Sequence, residues 1–320
     1  MAYYLGLDTS AYTSSLAVVD ENYQVLIDKR INLVVKPGNR GLRQSEALFL
    51  HLKNLPLLFA ELPDGLHKTV KAVAVSAFPR NVPGSYMPVF TAGLTQARVL
   101  SLYSGLPLYE VAHQDGHIMA GLHDARELMD APGFLAVHFS GGTSEVLNVK
   151  TTTRGCFSIE LLMAGTDLHA GQLVDRVGVA MGLAFPAGKD MEKLALRSSG
   201  KNIPAIPSAV NPRGFSFSGP ENRALQLLNS GLAHQDLAFA VLRVLANTLE
   251  KVLLNSAEKT GQKEVLLVGG VMANTLIRER LIKRLQGMKL YFAAPSLSTD
   301  NAVGVAMLAC ACTGGVIHHR

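Results

Sequence analysis

Cysteine is scarce in this chain: Cys156, Cys310 and Cys312 are the three among 320 residues. A sparse, odd count excludes the disulfide framework that staples small secreted domains. Cys310 and Cys312 stand in the small-residue apolar run AMLACACTGG, which reads as a buried helix. A C-x-C pair without a second pair nearby is a poor zinc site. Long apolar runs are missing too. No uncharged stretch approaches the roughly 20 residues that span a bilayer, and MAYYLGLDTS lacks a basic segment leading into an apolar one. The expectation is a cytoplasmic protein with no membrane association. Charge is modest at 17% of residues, with a net +5. The basic excess is compatible with an anionic partner, a nucleotide or RNA.

What is present is organised. The chain is longer than one hydrophobic core usually spans, so two lobes are expected. YLGLDTSAYTSSLAVVD (4–20) reads strand, tight polar turn, strand, and FLAVHFSGGTSEVLNVK (134–150) repeats that plan. One such unit per half implies lobes built by duplication. Between them helical and strand patterns alternate, which points to α/β. SEALFLHLKNLPLLFAEL, TAGLTQARVLSLYSG, HAGQLVDRVGVAMGL and the long DLAFAVLRVLANTLEKVLLNSAEK read as helices. VKAVAVSA, LPLYEVA, EVLLVGG and LYFAAP read as strands, and the Gly-, Pro-, Ser- and Asn-rich residues 199–221 as a long loop. No linker between autonomous domains is visible, so the lobes are expected to share a cleft.

The two polar turns offer backbone N–H groups and hydroxyls, donors that suit phosphate oxygens. The first contains Asp8, Thr9, Ser10 and Thr13; the second contains Ser140, Gly141, Gly142, Thr143 and Ser144. VGGVMAN (268–274) follows a strand and opens a helix, an arrangement that admits a ligand near Asn274 or merely caps the helix. In VAHQDGHIMAG (111–121), His113 and His117 stand at i and i+4 of a helical pattern. That spacing brings two imidazoles to one side, where they suit zinc or iron. The glutamate of H-E-x-x-H is absent, so zincin-type hydrolysis has little support. Asp300 in SLSTDN is a candidate third ligand, though spacing alone does not link it to residue 113.

Taken together, LGLDTS, H-x-x-x-H (113–117), SGG (140–142), AGQLVDRVGVAMGLAFPAG (170–188), SFSG (216–219), GGVMAN (269–274) and STDNA (298–302) resemble, in order, the motifs of the TsaD family. These are tRNA threonylcarbamoyladenosine transferases, whose archaeal and eukaryotic relative is the catalytic subunit of the KEOPS complex. The resemblance implies an actin-like ATPase fold of the sugar-kinase/Hsp70 type. Lobe I is expected at 1–130 plus 295–320 and lobe II at 131–294. It implies one divalent metal ion, iron or zinc, on His113, His117 and Asp300, a phosphate loop at Ser140–Ser144, and contacts from Asp175, Gly188 and Asn274 to the adenosine of an adenylate or ATP-type nucleotide. The implied reaction moves threonylcarbamoyl from its adenylate to N6 of the adenosine beside the anticodon of tRNA. TsaB-like and TsaE-like proteins are the implied partners.

The chain departs from the family pattern in the turns. SAYTS stands where an acidic pair is expected, placing Ala11 and Tyr12 there. SGGTS replaces SGGHT, and PENR replaces LKT after SFSG. A non-catalytic nucleotide-binding paralogue acting as a partner subunit, or an ATPase or kinase of the same fold, are the alternatives.

Overall fold

The computed structural model describes residues 1–10, 12–34, 42–152 and 157–314. Ala11 and Cys156 lie outside the described residues. The chain forms two compact units. One comprises Met1–Asp130, Thr151–Ser158 and Thr299–Arg320; the other comprises Ala131–Lys150 and Ile159–Ser298.

The first unit is built on a five-stranded sheet in the order β3-β2-β1-β4-β5. Its strands are β1 (Tyr3–Asp8), β2 (Thr13–Asp20), β3 (Val25–Asn32), β4 (Val70–Phe78) and β5 (Leu108–Ala112). β1 is antiparallel to β2 and parallel to β4, and β4 is parallel to β5. Leu5, Leu7, Leu16, Val18, Val73 and Val75 alternate onto one face and form a core with Leu55 and Leu58 of α1 (Gln44–Ala60). α2 (Phe90–Ser104) stops at Gly105, which takes the left-handed conformation that ends a helix. Two more helices complete the unit, α3 (His113–Leu122) and α9 (Val303–Cys312).

The second unit repeats the plan. Its sheet runs β12-β11-β6-β7-β8, from β6 (Gly133–Phe139), β7 (Ser144–Thr151), β8 (Phe157–Ala164), β11 (Glu264–Val268) and β12 (Lys289–Phe292). β6 is antiparallel to β7 and parallel to β11, which is parallel to β12. Strand order matches that of the first sheet, as does the sense of the β6–β7, β6–β11 and β11–β12 pairs, so the duplication suggested by the two hairpins extends to the sheets. The helices are α4 (Ala170–Ala180), α5 (Gly188–Ala195), α6 (Ser218–Asn229), α7 (His234–Thr260) and α8 (Thr275–Arg284). α7 is the spine of this core, burying Leu237, Val241, Leu245, Leu249 and Val252.

The supposed loop 199–221 is partly ordered. β9 (Ala209–Asn211) and β10 (Gly214–Ser216) form a small antiparallel hairpin, and α6 begins at Ser218. Local composition favours turns there, but Phe215 and Phe217 are fully buried and stack with Phe139, with ring centroids 5.4 and 6.1 Å away. Tertiary burial overrides the turn signal. Cys310 is buried and Cys312 partly buried in α9, both as free thiols. Among the described residues no helix is long and apolar enough to cross a membrane.

Candidate metal centre and ligand-binding loops

α3 begins at His113, immediately after β5, so His113 and His117 fall one turn apart on it. Gly116 lies between them and meets Gly304 of α9. A Cβ at Gly304 would collide with the Gly116 carbonyl oxygen and lie 2.5 Å from Ala120 N. Glycine therefore permits a helix crossing too close for any side chain. Just ahead of α9, Asn301 Oδ1 accepts from Val303 N, and Arg30 Nη1 donates to Thr299 Oγ1. These bonds fix the bend that carries Asp300.

The crossing delivers Asp300 to the histidines. Its Oδ1 lies 3.6 Å from His113 Nε2 and 3.4 Å from His117 Nε2. One ligand atom from each of the three residues lies within 4.8 Å of the others. The imidazole centroids are 4.3 Å apart, with planes inclined by 72°. Behind them stands Asp8, at the end of β1 and 1% exposed. Its Oδ2 is 2.9 Å from His113 Nδ1 and accepts from Ser76 Oγ at 3.0 Å, while Oδ1 accepts from Ser10 N at 2.7 Å. A carboxylate on Nδ1 selects the tautomer whose Nε2 lone pair is free. Burial works against the charge on Asp8, but the His113 charge, its hydrogen bond and the Ser10 N–H outweigh it and hold the carboxyl below its usual range. For His113, burial disfavours the imidazolium, yet Asp8, with Asp300 adding to it, raises its pKa overall.

In the first turn the polar side chains are largely engaged within the unit. Asp8 points at an imidazole. Thr9 Oγ1 donates to Val89 O and accepts from Gly93 N, tying β1 to the start of α2. Thr13 Oγ1 donates to Asn32 Oδ1. Ser10 Oγ is buried and has no hydrogen-bond partner among the described residues. Tyr12 is 46% exposed.

In the second unit Ser140–Ser144 links β6 to β7. Ser140 Oγ accepts from the N–H groups of Gly142 and Thr143, at 3.3 and 3.0 Å. Those two donors, expected to face a ligand, are held by their own turn. Ser144 Oγ accepts from Ala170 N, and Gly171 N donates to Ser140 O, which seats the start of α4 on the loop. Gly141 and Gly142 are exposed and a Cβ at either would meet open space, so packing does not require glycine there. Gly269 is different. It takes φ +100, and a Cβ would collide with Phe139 O, so the GGVMAN turn lies against the end of β6.

Asp175 Oδ1, on α4, accepts from Ala187 N, the residue before Gly188. Burial raises the Asp175 pKa, with that hydrogen bond opposing. Asn274 caps α8, its Oδ1 accepting from Ile277 N at 3.1 Å. Two residues that sequence reasoning missed complete the picture. Glu192 Oε1 accepts from Thr275 N and Oγ1, joining α5 to the start of α8 and bringing Gly188 and Asn274 to one region. Asp167 Oδ2 accepts from Ser216 and Ser218, and Oδ1 accepts from Leu168 N and Phe217 N. Although desolvation opposes it, these bonds hold the Asp167 carboxyl well below the usual range. SFSG is therefore a turn clasped by Asp167 through two serines and anchored in the core by Phe217. The serine spacing was the available signal, without an indication of its partner.

The family model of TsaD, tRNA N6-adenosine threonylcarbamoyltransferase, matches residues 30–307. The chain belongs to this family. A tRNA N6-adenosine threonylcarbamoyltransferase of Thermus thermophilus is 32% identical over 95% of this chain and 91% of its own. One from Archaeoglobus fulgidus is 30% identical, covering 94% and 88%. Among solved structures, HypF of T. kodakarensis has a TM-score of 0.62 at 15% identity, covering 98% of this chain and 48% of its own. A ROK family glucokinase of Streptomyces griseus, in complex with glucose and AMPPNP, has a TM-score of 0.54 at 13% identity, covering 96% and 99%. At such identities the likeness concerns the fold, which is the actin-like ATPase fold.

Proposed function

We propose that this TsaD-family protein transfers threonylcarbamoyl from threonylcarbamoyl-adenylate to N6 of the tRNA adenosine beside the anticodon. The observation that carries the reading is the convergence of His113 Nε2, His117 Nε2 and Asp300 Oδ1, with Asp8 set on the far nitrogen of His113. Two imidazoles and a carboxylate suit iron or zinc, and three protein donors are the number a catalytic site uses when it keeps a position for substrate. An ion held there supplies Lewis-acid polarisation of a carbonyl.

The chain's own groups do the rest. Asp8 orients His113. The loop Ser140–Ser144 takes the phosphate of the adenylate as the Gly142 and Thr143 N–H groups exchange Ser140 Oγ for its oxygens, and Asp175, Gly188 and Asn274 contact its adenosine. The N6 amine attacks the carbamoyl carbon and its proton passes to water. The bond to the phosphate oxygen breaks, and AMP leaves. The adenylate already carries a good leaving group, so no nucleophilic side chain is required. The supposed residents and partners of the site are one divalent ion, the nucleotide, tRNA, and TsaB-like and TsaE-like proteins.

A second reading, a nucleotide-binding subunit without transferase activity, is favoured by Tyr12 in the acidic position and by the engagement of the Gly142 and Thr143 N–H groups with Ser140. The two are separated by metal analysis and a threonylcarbamoyl-transfer assay on unmodified tRNA, run with and without the partner proteins. Transfer that disappears in His117→Ala, together with loss of about one bound ion per chain, is the expected result. Native protein that binds metal and nucleotide yet transfers nothing in any combination establishes the second reading instead.

A further inference from the structure

Helices α7 and α8 of the second unit line a cavity of about 330 Å³ that the proposed reaction does not use. Arg243 of α7 and Arg280, Lys283 and Arg284 of α8 line it, with one lining carboxylate, Glu279. Positions 280, 283 and 284 share one helix face by their spacing. Phe239, Leu242 and Leu276 supply an apolar lining.

Like charges gathered on one cavity repel, so the manner in which they are held is informative. Arg243 Nη2 donates to the carbonyls of Ile203 and Pro204, at 3.1 and 2.9 Å. Arg280 donates through Nε and Nη2 to Asn247 Oδ1, at 2.9 and 2.7 Å. Arg284 Nε pairs with Glu250, outside the lining. Two of the three guanidinium groups are thus oriented by neutral acceptors and, among the described residues, form no direct ion pair. A guanidinium has five N–H donors, so Arg243 and Arg280 retain donors for a ligand. Among the described residues Lys283 makes no ion pair. Burial, then the charge of Arg284 and, despite Glu250, that of Arg243, lowers the Arg280 pKa, a penalty that an entering anion relieves. The Arg243 guanidinium also lies 5.7 Å from the Phe239 ring centroid. An aromatic face beside a guanidinium is what stacks an unpaired base.

We propose that this cavity is an RNA-contact site: its cationic groups take phosphodiester oxygens and its apolar lining takes one unstacked base. The choice of RNA rests on the tRNA substrate proposed above. The test measures binding of full-length tRNA to the whole chain over a series of salt concentrations. Arg280→Gln/Lys283→Gln is expected to bind at least tenfold more weakly at low salt. Its dependence of log affinity on log salt becomes shallower by about 1.4–1.8, the loss of two phosphate contacts. Arg280→Lys/Lys283→Arg retains most of the slope. Phe239→Leu, which keeps an apolar side chain, loses about tenfold in affinity with the slope unchanged. Unchanged affinity and slope in a folded Arg280→Gln/Lys283→Gln protein overturn the proposal. If that variant instead loses binding of poly-glutamate, the face belongs to an acidic protein partner. Wild type that transfers threonylcarbamoyl while the variant's slope is unchanged refutes the cavity alone. RNA binding with the expected slope change but no transfer refutes the transferase reading alone.

Discussion

His113 shows what a side chain's second nitrogen does for its first. Its spacing from His117 is visible in the sequence, because i and i+4 on a helix have only one geometric meaning. Asp8 was legible only as part of a polar turn, since nothing in LGLDTS says that the carboxylate faces a residue a hundred positions later. Carboxylates of this kind set the tautomer and basicity of metal-bound imidazoles. Asp8→Asn is therefore expected to weaken metal binding by about 10–100-fold, read by competition with a chromophoric chelator, in protein whose circular dichroism is unchanged. Undiminished affinity in that variant would mean that Asp8 is a structural acid. Asp167 carries a pH prediction of definite sign. Its folded pKa is depressed, so its contribution to stability is complete above the ordinary carboxylate value of about 3.9 and is lost as pH falls through the folded one. Urea unfolding should find wild type more stable than Asp167→Asn at pH 7, with the gap closing progressively below about pH 5. A gap independent of pH would assign the effect to geometry.

At the scale of elements, most strands and helices follow from hydrophobic period, because each sheet and helix face buries an apolar stripe. The crossing of α3 and α9 does not. Gly116 and Gly304 are unremarkable in HQDGHIMAG and NAVGVAMLACAC, yet their backbone contact is what carries Asp300 to the histidines. A partner so distant in sequence can be read only from resemblance or from structure. Gly304→Ala tests the dependence. Overpacking of this kind typically costs about 1–3 kcal/mol, and here the relaxation must move α9 from α3. The variant should show a lowered urea midpoint and, if it folds, weakened metal binding. Ala309→Gly, also buried on α9 but outside the crossing, should lower stability with little change in metal affinity. Equal metal affinity in Gly304→Ala and wild type would detach the crossing from the site.

At the scale of the molecule, each unit has its own core. Leu5 to Leu108 supply one core cluster of the first, and Leu135 to Leu285 supply one of the second. The doubled hairpins make that duplication legible, because a repeated strand–turn–strand motif has to be buried twice. Separate cores open by separate local transitions, so a ligand confined to one unit protects that unit's own amides. All three candidate metal ligands belong to the first unit. A divalent ion at a hundred times its dissociation constant stabilises whatever opening breaks its site by about 2.7 kcal/mol. Hydrogen exchange with and without zinc should therefore show slowed exchange in α3, the end of β1 and the start of α9, reversed by chelator. Amides of α7 that exchange through opening of the second unit should be unaffected. Protection confined to the second unit would mean that the ion binds elsewhere, and the imidazole–carboxylate trio would lose its assignment. Loss of that protection in His117→Ala would tie the stabilisation to this side chain rather than to a general effect of the ion.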